Sequence, residues 1–117
     1  TPEMTVFQEE TFGPVAPITS FRSDDEAIEL ANAHGTGLIS GVFTSRIDRA
    51  YRFADAIKTG TVHINEGSCY WEQHTPFGGY SGRDSGQGRL GGRYSIEELS
   101  QIKNITVDAG NVRDERP

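Results

Sequence analysis

Residues 38–65 read LISGVFTSRIDRAYRFADAIKTGTVHIN, and this stretch decides the fold. Leu38 to Phe43 is a short apolar run bounded by turn residues, which suits a buried strand. Ser45 with Asp48 offers a helix cap. Beyond it Ile47, Ala50, Tyr51, Ala54 and Ile57 recur at the spacing of an amphipathic helix. Lys58 near the end of that helix and Gly60 just past it form its stop. Thr61 to Asn65 then alternates, with Val62 and Ile64 on one face of a second strand. Strand, helix, strand with links this short is a βαβ unit, which implies a parallel sheet under helical cover.

Toward the amino terminus, Ser23 stands three residues before Glu26, the arrangement of a capping box. Asp24 and Asp25 add negative charge where the helix dipole favours it. A helix over 24–33 follows, with Ala27, Ile28, Leu30 and Ala31 as its small apolar face and Gly35 and Gly37 closing it. Residues 15–21 (VAPITSF) predict a short strand, which Pro17 pushes to a sheet edge or a bulge. Toward the carboxy terminus, residues 66–92 dissolve into a glycine-rich stretch without periodicity. A loop that long in a compact domain is usually functional or disordered. Ser95 and Glu98 predict a last short helix, residues 102–107 (IKNITV) a final strand, and the polar residues after Ala109 a flexible tail.

The bulk properties narrow the function classes. Hydrophobic residues make up 34% of the 117, and 14 are glycine, a lean supply for a self-sufficient core. Long ordered loops, or covering segments that lie elsewhere, are expected. A net charge of -6 argues against nucleic-acid and anionic-membrane partners, which need a basic face. No apolar run reaches the roughly 18 residues of a membrane span, and no signal segment opens the chain. Thr1 is not a native translation start, so residues upstream are expected. The lone cysteine, Cys69, excludes an internal disulfide and fits a reducing, cytoplasmic compartment.

Three apparent motifs carry little. Gly86, Gly88 and Gly91 match G-x-G-x-x-G, with Asp108 about 20 residues on. A dinucleotide turn needs a strand before it, and residues 80–85 (YSGRDS) are no strand. Cys69 has His63 and His74 near it in sequence, but no motif places either as its base. No histidine or cysteine spacing suits a metal. The pair Glu97–Glu98 reads as a solvated helix face; Glu9–Glu10 sits in a more distinctive setting.

That setting is Glu9-Glu10-Thr11-Phe12-Gly13-Pro14-Val15, which resembles the E-E-x-F-G-P-V motif of the NAD(P)-dependent aldehyde dehydrogenase superfamily. Pro76-Phe77-Gly78-Gly79 followed by Ser85-Gly86-Gln87-Gly88-Arg89 is similar to that family's P-F-G-G and S-G-x-G-R element. Five residues, Tyr80 to Asp84, separate the two halves of that element, more than the family usually places there. Between the motifs, Glu26-Ala27-Ile28, Ala31-Asn32, Gly37-Leu38 and Gly60 to Asn65 fall in the family's order.

The resemblance implies the carboxy-terminal portion of such an enzyme. Residues 1–101 would belong to a Rossmann-like α/β catalytic domain, 102–109 to an oligomerisation strand and 110–117 to the tail. It implies NAD or NADP as cofactor, an aldehyde as substrate and a homo-oligomer joined through 102–109. The carboxylate at Glu10 would accept hydrogen bonds from the ribose hydroxyls beside the nicotinamide, as an acceptor with two oxygens can. Phe12 would pack beside the nicotinamide ring, and Phe77 would line the active site near the reacting carbon. Asn65 would end a strand near the substrate chamber. Glu10, Phe12 and Phe77 would thus converge on one nicotinamide site.

The family's catalytic cysteine, which forms a thiohemiacetal with the aldehyde, and its general-base glutamate belong to motifs upstream of EETFGPV. No residue of this chain matches either, so no catalytic residue is expected here and Cys69 does not inherit the role. Tyr70 and Trp71 crowd the loop before Pro76, and with His74 they suggest a bulky apolar or aromatic aldehyde. The alternative is a non-catalytic interaction module that pairs through an exposed edge strand.

Overall fold

The computed structural model describes residues 1–108 and 110. In chain order they form α1 (Thr5–Gln8), α2 (Asp24–Asn32), β1 (Ile39–Val42), α3 (Ile47–Ala56), β2 (Thr61–Ile64) and α4 (Arg93–Glu98). The two strands pair in parallel, with Ile39 opposite Thr61 and Val42 opposite Ile64. α3 runs in the connection and packs on both strands. The predicted βαβ unit is therefore present, and it holds the buried apolar side chains Ala50, Phe53 and Ile57.

α2 is tied to this unit by polar contacts. Asn32 Nδ2 donates to the Ala56 carbonyl at 2.9 Å, and its Oδ1 accepts from the Lys58 amide at 2.8 Å. Arg49 on α3 binds Asp24 on α2 through two nitrogens, and Arg52 pairs with Asp25. The helix starts as its sequence predicts: Ser23 Oγ accepts from the Glu26 amide at 3.2 Å. Glu26 reaches back one residue further than a capping box requires, accepting from the Arg22 amide at 2.6 Å.

Three expectations are corrected. Residues 15–21 form no strand. Pro14 and Pro17 cannot donate to a ladder, and the segment is exposed, with Ile18 at 96%. Ser45 with Asp48 is not the cap of α3. Arg46 occupies that position without a side-chain cap bond, Thr44 Oγ1 accepts from the Arg46 amide, and Asp48 instead pairs with Arg46 at 2.5 Å. The buried stripe of α3 runs through Ala50, Phe53 and Ile57, leaving Ile47 and Tyr51 exposed. Two four-residue strands cover only a narrow face of a helix, and the Phe53 ring fills it.

α4 starts at Gly92 in place of a serine, although Ser95 Oγ still accepts the Gly91 amide at 2.8 Å. Gly86, Gly88 and Gly91 all adopt positive φ, and no strand precedes them, so the stretch is a loop and not a dinucleotide turn. Residues 101–108 take no regular secondary structure, and Ile102, Ile105 and Val107 are exposed. Residue 109 of the expected strand and 111–117 of the expected tail lie outside the described residues.

The chain is far from spherical. Its radius of gyration is 22.3 Å, where a compact chain of this length would have about 13 Å. Its accessible surface of 9700 Å² compares with roughly 6,300 Å² for a compact protein of this mass. Apolar side chains outside the βαβ unit therefore remain largely uncovered within this chain.

Candidate functional site

The alternation of β2 gives the site its floor. Val62 and Ile64 point to one face, so Thr61 and His63 point to the other. Ile39, paired with Thr61, joins them there. Over this floor folds the loop 70–77, framing an open hollow of about 320 Å³ lined by Ile39, Thr61, His63, Tyr70, Trp71 and Phe77, with Gly60, Glu72, Thr75 and Pro76 completing it and the Tyr70 and Trp71 rings half exposed.

Several bonds fix the loop. The Thr75 amide and hydroxyl both donate to the Glu72 carbonyl, at 3.0 and 2.8 Å. The Gly92 amide donates to the Gln73 carbonyl at 2.9 Å. Phe77 and Leu90 exchange two backbone bonds at 2.7 and 2.8 Å as an isolated antiparallel bridge. Gly60 admits the Pro76–Gly79 turn against the start of β2, since a Cβ at Gly60 would run into the Gly78 carbonyl.

The aromatic wall is made of edge contacts. The Trp71 and Phe77 ring centroids lie 5.6 Å apart at 63°, and those of His63 and Tyr70 lie 5.7 Å apart at 81°. Such tilted pairs are favourable beyond their buried area. The Tyr70 hydroxyl donates to Glu72 Oε1 at 2.5 Å, and the neighbouring carboxylate holds the phenol above its ordinary pKa. Glu72 Oε2 lies 3.2 Å from His74 Nε2. His63 Nε2 is enclosed without a hydrogen-bond partner among the described residues.

A second hollow of about 420 Å³ lies between α1 and the turn before β1, lined by Phe7, Glu9, Glu10, His34, Thr36 and Ser85 together with Gln8, Leu38 and Ile39. Phe7 rests against His34 with centroids 4.4 Å apart. Ser85 Oγ accepts from the Gly37 amide at 2.6 Å, which holds the Ser85–Gly88 loop beside the hollow. Glu9 and Glu10 bring two carboxylates to this hollow. They can accept from sugar hydroxyls, but their charge repels phosphate. The residues present therefore suit the sugar end of a ligand and not a phosphate.

Among the expected site residues, Tyr70, Trp71 and Phe77 come together in the first cavity and Glu10 lines the second. Phe12 is 93% exposed and lines neither, so the expected convergence of Glu10, Phe12 and Phe77 on one site does not occur within this chain. Asn65 directly follows β2, at φ 58°. Its side chain turns to Thr44: Oδ1 accepts from the Thr44 amide at 2.8 Å, and Nδ2 donates to the Thr44 carbonyl at 3.0 Å. It joins the strand ends and lines neither hollow. Cys69 is exposed and lines neither as well. No group of acidic, histidine and cysteine side chains suited to a metal occurs among the described residues.

Sequence reasoning missed His63, Glu72 and His34 as lining residues. For His63 the signal was present, because the alternation that assigns Val62 and Ile64 to one face assigns Thr61 and His63 to the other. For Glu72 and His34 no periodicity marked the loops that carry them.

Residues 1–105 match the model of the aldehyde dehydrogenase family. Benzaldehyde dehydrogenase [NAD(+)] of Pseudomonas putida is 48% identical over 106 residues, which cover 91% of this chain and 22% of that protein. The crystal structure of a salicylaldehyde dehydrogenase from Pseudomonas putida G7, complexed with salicylaldehyde, superposes with a TM-score of 0.86 at 35% identity, covering 99% of this chain and 24% of that one. A betaine aldehyde dehydrogenase point mutant from Staphylococcus aureus in complex with NAD+ gives a TM-score of 0.78 at 41% identity, covering 84% of this chain and 19% of that one. The chain thus spans about a fifth of the length of the curated relatives it matches.

Proposed function

This chain belongs to the aldehyde dehydrogenase family, and on that premise we propose that it forms the substrate-side wall and the nicotinamide-ribose contact of an NAD(P)-dependent aldehyde dehydrogenase, as its carboxy-terminal part. The observation that carries this reading is the place of Ile39. The first residue of β1 lines both the aromatic cavity and the Glu10 hollow, so the two sites back onto one strand end.

Each residue then has a physical task. Glu10 accepts from ribose hydroxyls, and Phe12, free in this chain, lies beside the nicotinamide. Tyr70, Trp71 and Phe77 bind the apolar part of the aldehyde and exclude water from it. The bound dinucleotide supplies the hydride acceptor. Glu72 and Thr75 hold the aromatic wall in place. The nucleophile and the general base come from outside this span, in keeping with the exposed position of Cys69.

An aromatic aldehyde is the proposed substrate class, supported by the three rings of the cavity and by the names of the Pseudomonas relatives. NAD is favoured over NADP because the Pseudomonas putida relative is named for NAD(+) and the Staphylococcus aureus structure holds NAD+. The cytoplasm remains the proposed compartment. The test uses the gene product in which this span lies. It should reduce NAD with benzaldehyde, and Glu10→Gln should raise KM for NAD about tenfold, the loss of one charge-assisted contact. A reading frame with no cysteine and glutamate motifs before EETFGPV, whose product forms no NADH, would overturn the proposal.

A second reading has its own observation. Leu99, Ile102, Ile105 and Val107 are exposed along the last described segment, a surface suited to adding a strand to another copy's sheet. Light scattering should then show a dimer or larger, reduced when Ile105 is replaced by proline. A monomer unaffected by Ile105→Pro removes this reading.

A further inference from the structure

The aromatic cavity carries a charge that its apolar rings leave unbalanced. Glu72 is the one acidic side chain that lines it, and no lysine or arginine does. The carboxylate is held in place: Oε1 accepts from the Tyr70 hydroxyl at 2.5 Å, and the two Thr75 bonds lock the Glu72 backbone. His74 approaches Oε2 at 3.2 Å, but its side chain is 78% exposed and lines no part of the cavity. The Glu72 side chain is itself 45% exposed, so its carboxylate is shared between the hollow and solvent. The remaining titratable lining groups are the Tyr70 phenol and His63, whose Nε2 is enclosed. Neither brings a fixed positive charge into the hollow to offset the carboxylate. The effect of Glu72 already registers on its neighbour, since the Tyr70 phenol is held above its ordinary pKa.

Charges near protein surfaces interact several times more strongly than in bulk water, because the effective dielectric is about 20 in place of 80. A carboxylate ligand placed among Tyr70, Trp71 and Phe77 meets Glu72 as a like charge. An ammonium or hydroxyl donor meets it as a partner.

We propose that Glu72 is a specificity-determining residue that filters ligands of the aromatic cavity by charge, favouring ring systems with a cationic or hydrogen-bond-donating substituent and rejecting ring carboxylates. This rests on the reading of the cavity as the aromatic-aldehyde wall, and the test separates the two. Trp71 is the one tryptophan of this span and stands in the cavity wall, so the emission that Trp71→Phe removes reports occupancy.

The gene product that contains this span is titrated with three ligands of nearly equal shape: benzylammonium, benzyl alcohol and benzoate. The expected result is benzylammonium at least ~10-fold tighter than benzoate, with the preference shrinking as salt is added. Glu72→Gln keeps an oxygen to accept from Tyr70, and it should bring the two charged ligands within ~2-fold while weakening benzyl alcohol less than benzylammonium. Glu72→Asp should retain part of the preference. Should benzyl alcohol bind while the charged pair bind alike in the wild type, or keep their ratio in Glu72→Gln, the charge filter is overturned and the aromatic wall stands. Should none of the three perturb Trp71, both readings fall.

Discussion

Phe53 is 7% exposed and Phe12 is 93% exposed. Phe53 lies in a strand–helix–strand unit that closes on itself within a short stretch of chain, so little loop entropy opposes the contact of α3 with β1 and β2. Its ring, Ala50 and Ile57 are buried, and Phe21, Ala27 and Ala31 line the hollow beside Phe53 and Ile57. Phe12 lies in a segment where Pro14 and Pro17 withhold backbone donors and no strand pairs. That segment keeps apolar side chains at the surface, as an interface does and a core does not. The contrast places the buried core in one region and uncovered apolar side chains in the other.

The comparison breaks most plainly if the two phenylalanines respond alike. Phe53→Ala should cost about 3–5 kcal/mol, enough to remove cooperative unfolding from so small a core. Phe12→Ala should shift thermal unfolding by less than about 0.5 kcal/mol. Gly60→Ala sharpens the boundary between unit and loop. Its methyl would collide with the Gly78 carbonyl, so a loss of about 1–3 kcal/mol is expected, with a change in Trp71 emission as the turn is displaced. Ser23→Ala removes the cap bond to the Glu26 amide and should cost about 1 kcal/mol, read by chemical denaturation.

The smallest effect is electrostatic. The hydrogen bond from Arg49 holds the Asp24 carboxyl below its usual range, aided by the charges of Arg49 and Arg52. A depressed folded pKa stabilises the fold above the unfolded value of about 3.9, and that contribution is lost as pH falls through the lower folded value. Asp24→Asn should therefore lower stability above about pH 4 and converge on the wild type at lower pH, which flattens the acid side of the profile. A parallel downward offset at every pH would show that Asp24 acts through its hydrogen bonds alone.

Sequence pattern revealed the self-contained part of this molecule well. The strand bounds around Ile39–Val42 and Thr61–Ile64, the parallel pairing, and the Ser23 start of α2 all follow from periods and caps. The face of α3 did not, because Ile47 and Tyr51 suit the helical period as well as Phe53 does. Only the narrow sheet beneath selects between them. In the site, the aromatic residues Tyr70, Trp71 and Phe77 were legible from their crowding and from a family motif. Glu72 and His34 were not, since their roles arise where loops close on the sheet. Such closures leave no repeat in the sequence. Asn65 directly follows β2 but lines neither hollow, because its amide is spent on Thr44, a local bond that spacing does not encode.

The claim beneath all of this is that the rings at 70, 71 and 77, seated on Ile39, Thr61 and His63, receive the organic part of an aldehyde. Its most direct test is kcat/KM for benzaldehyde relative to acetaldehyde in the gene product that contains this span, before and after Trp71→Ala. The account predicts that the preference for benzaldehyde falls about tenfold, the equivalent of ~1.4 kcal/mol of lost transition-state contact. An unchanged ratio in an active Trp71→Ala enzyme would contradict it.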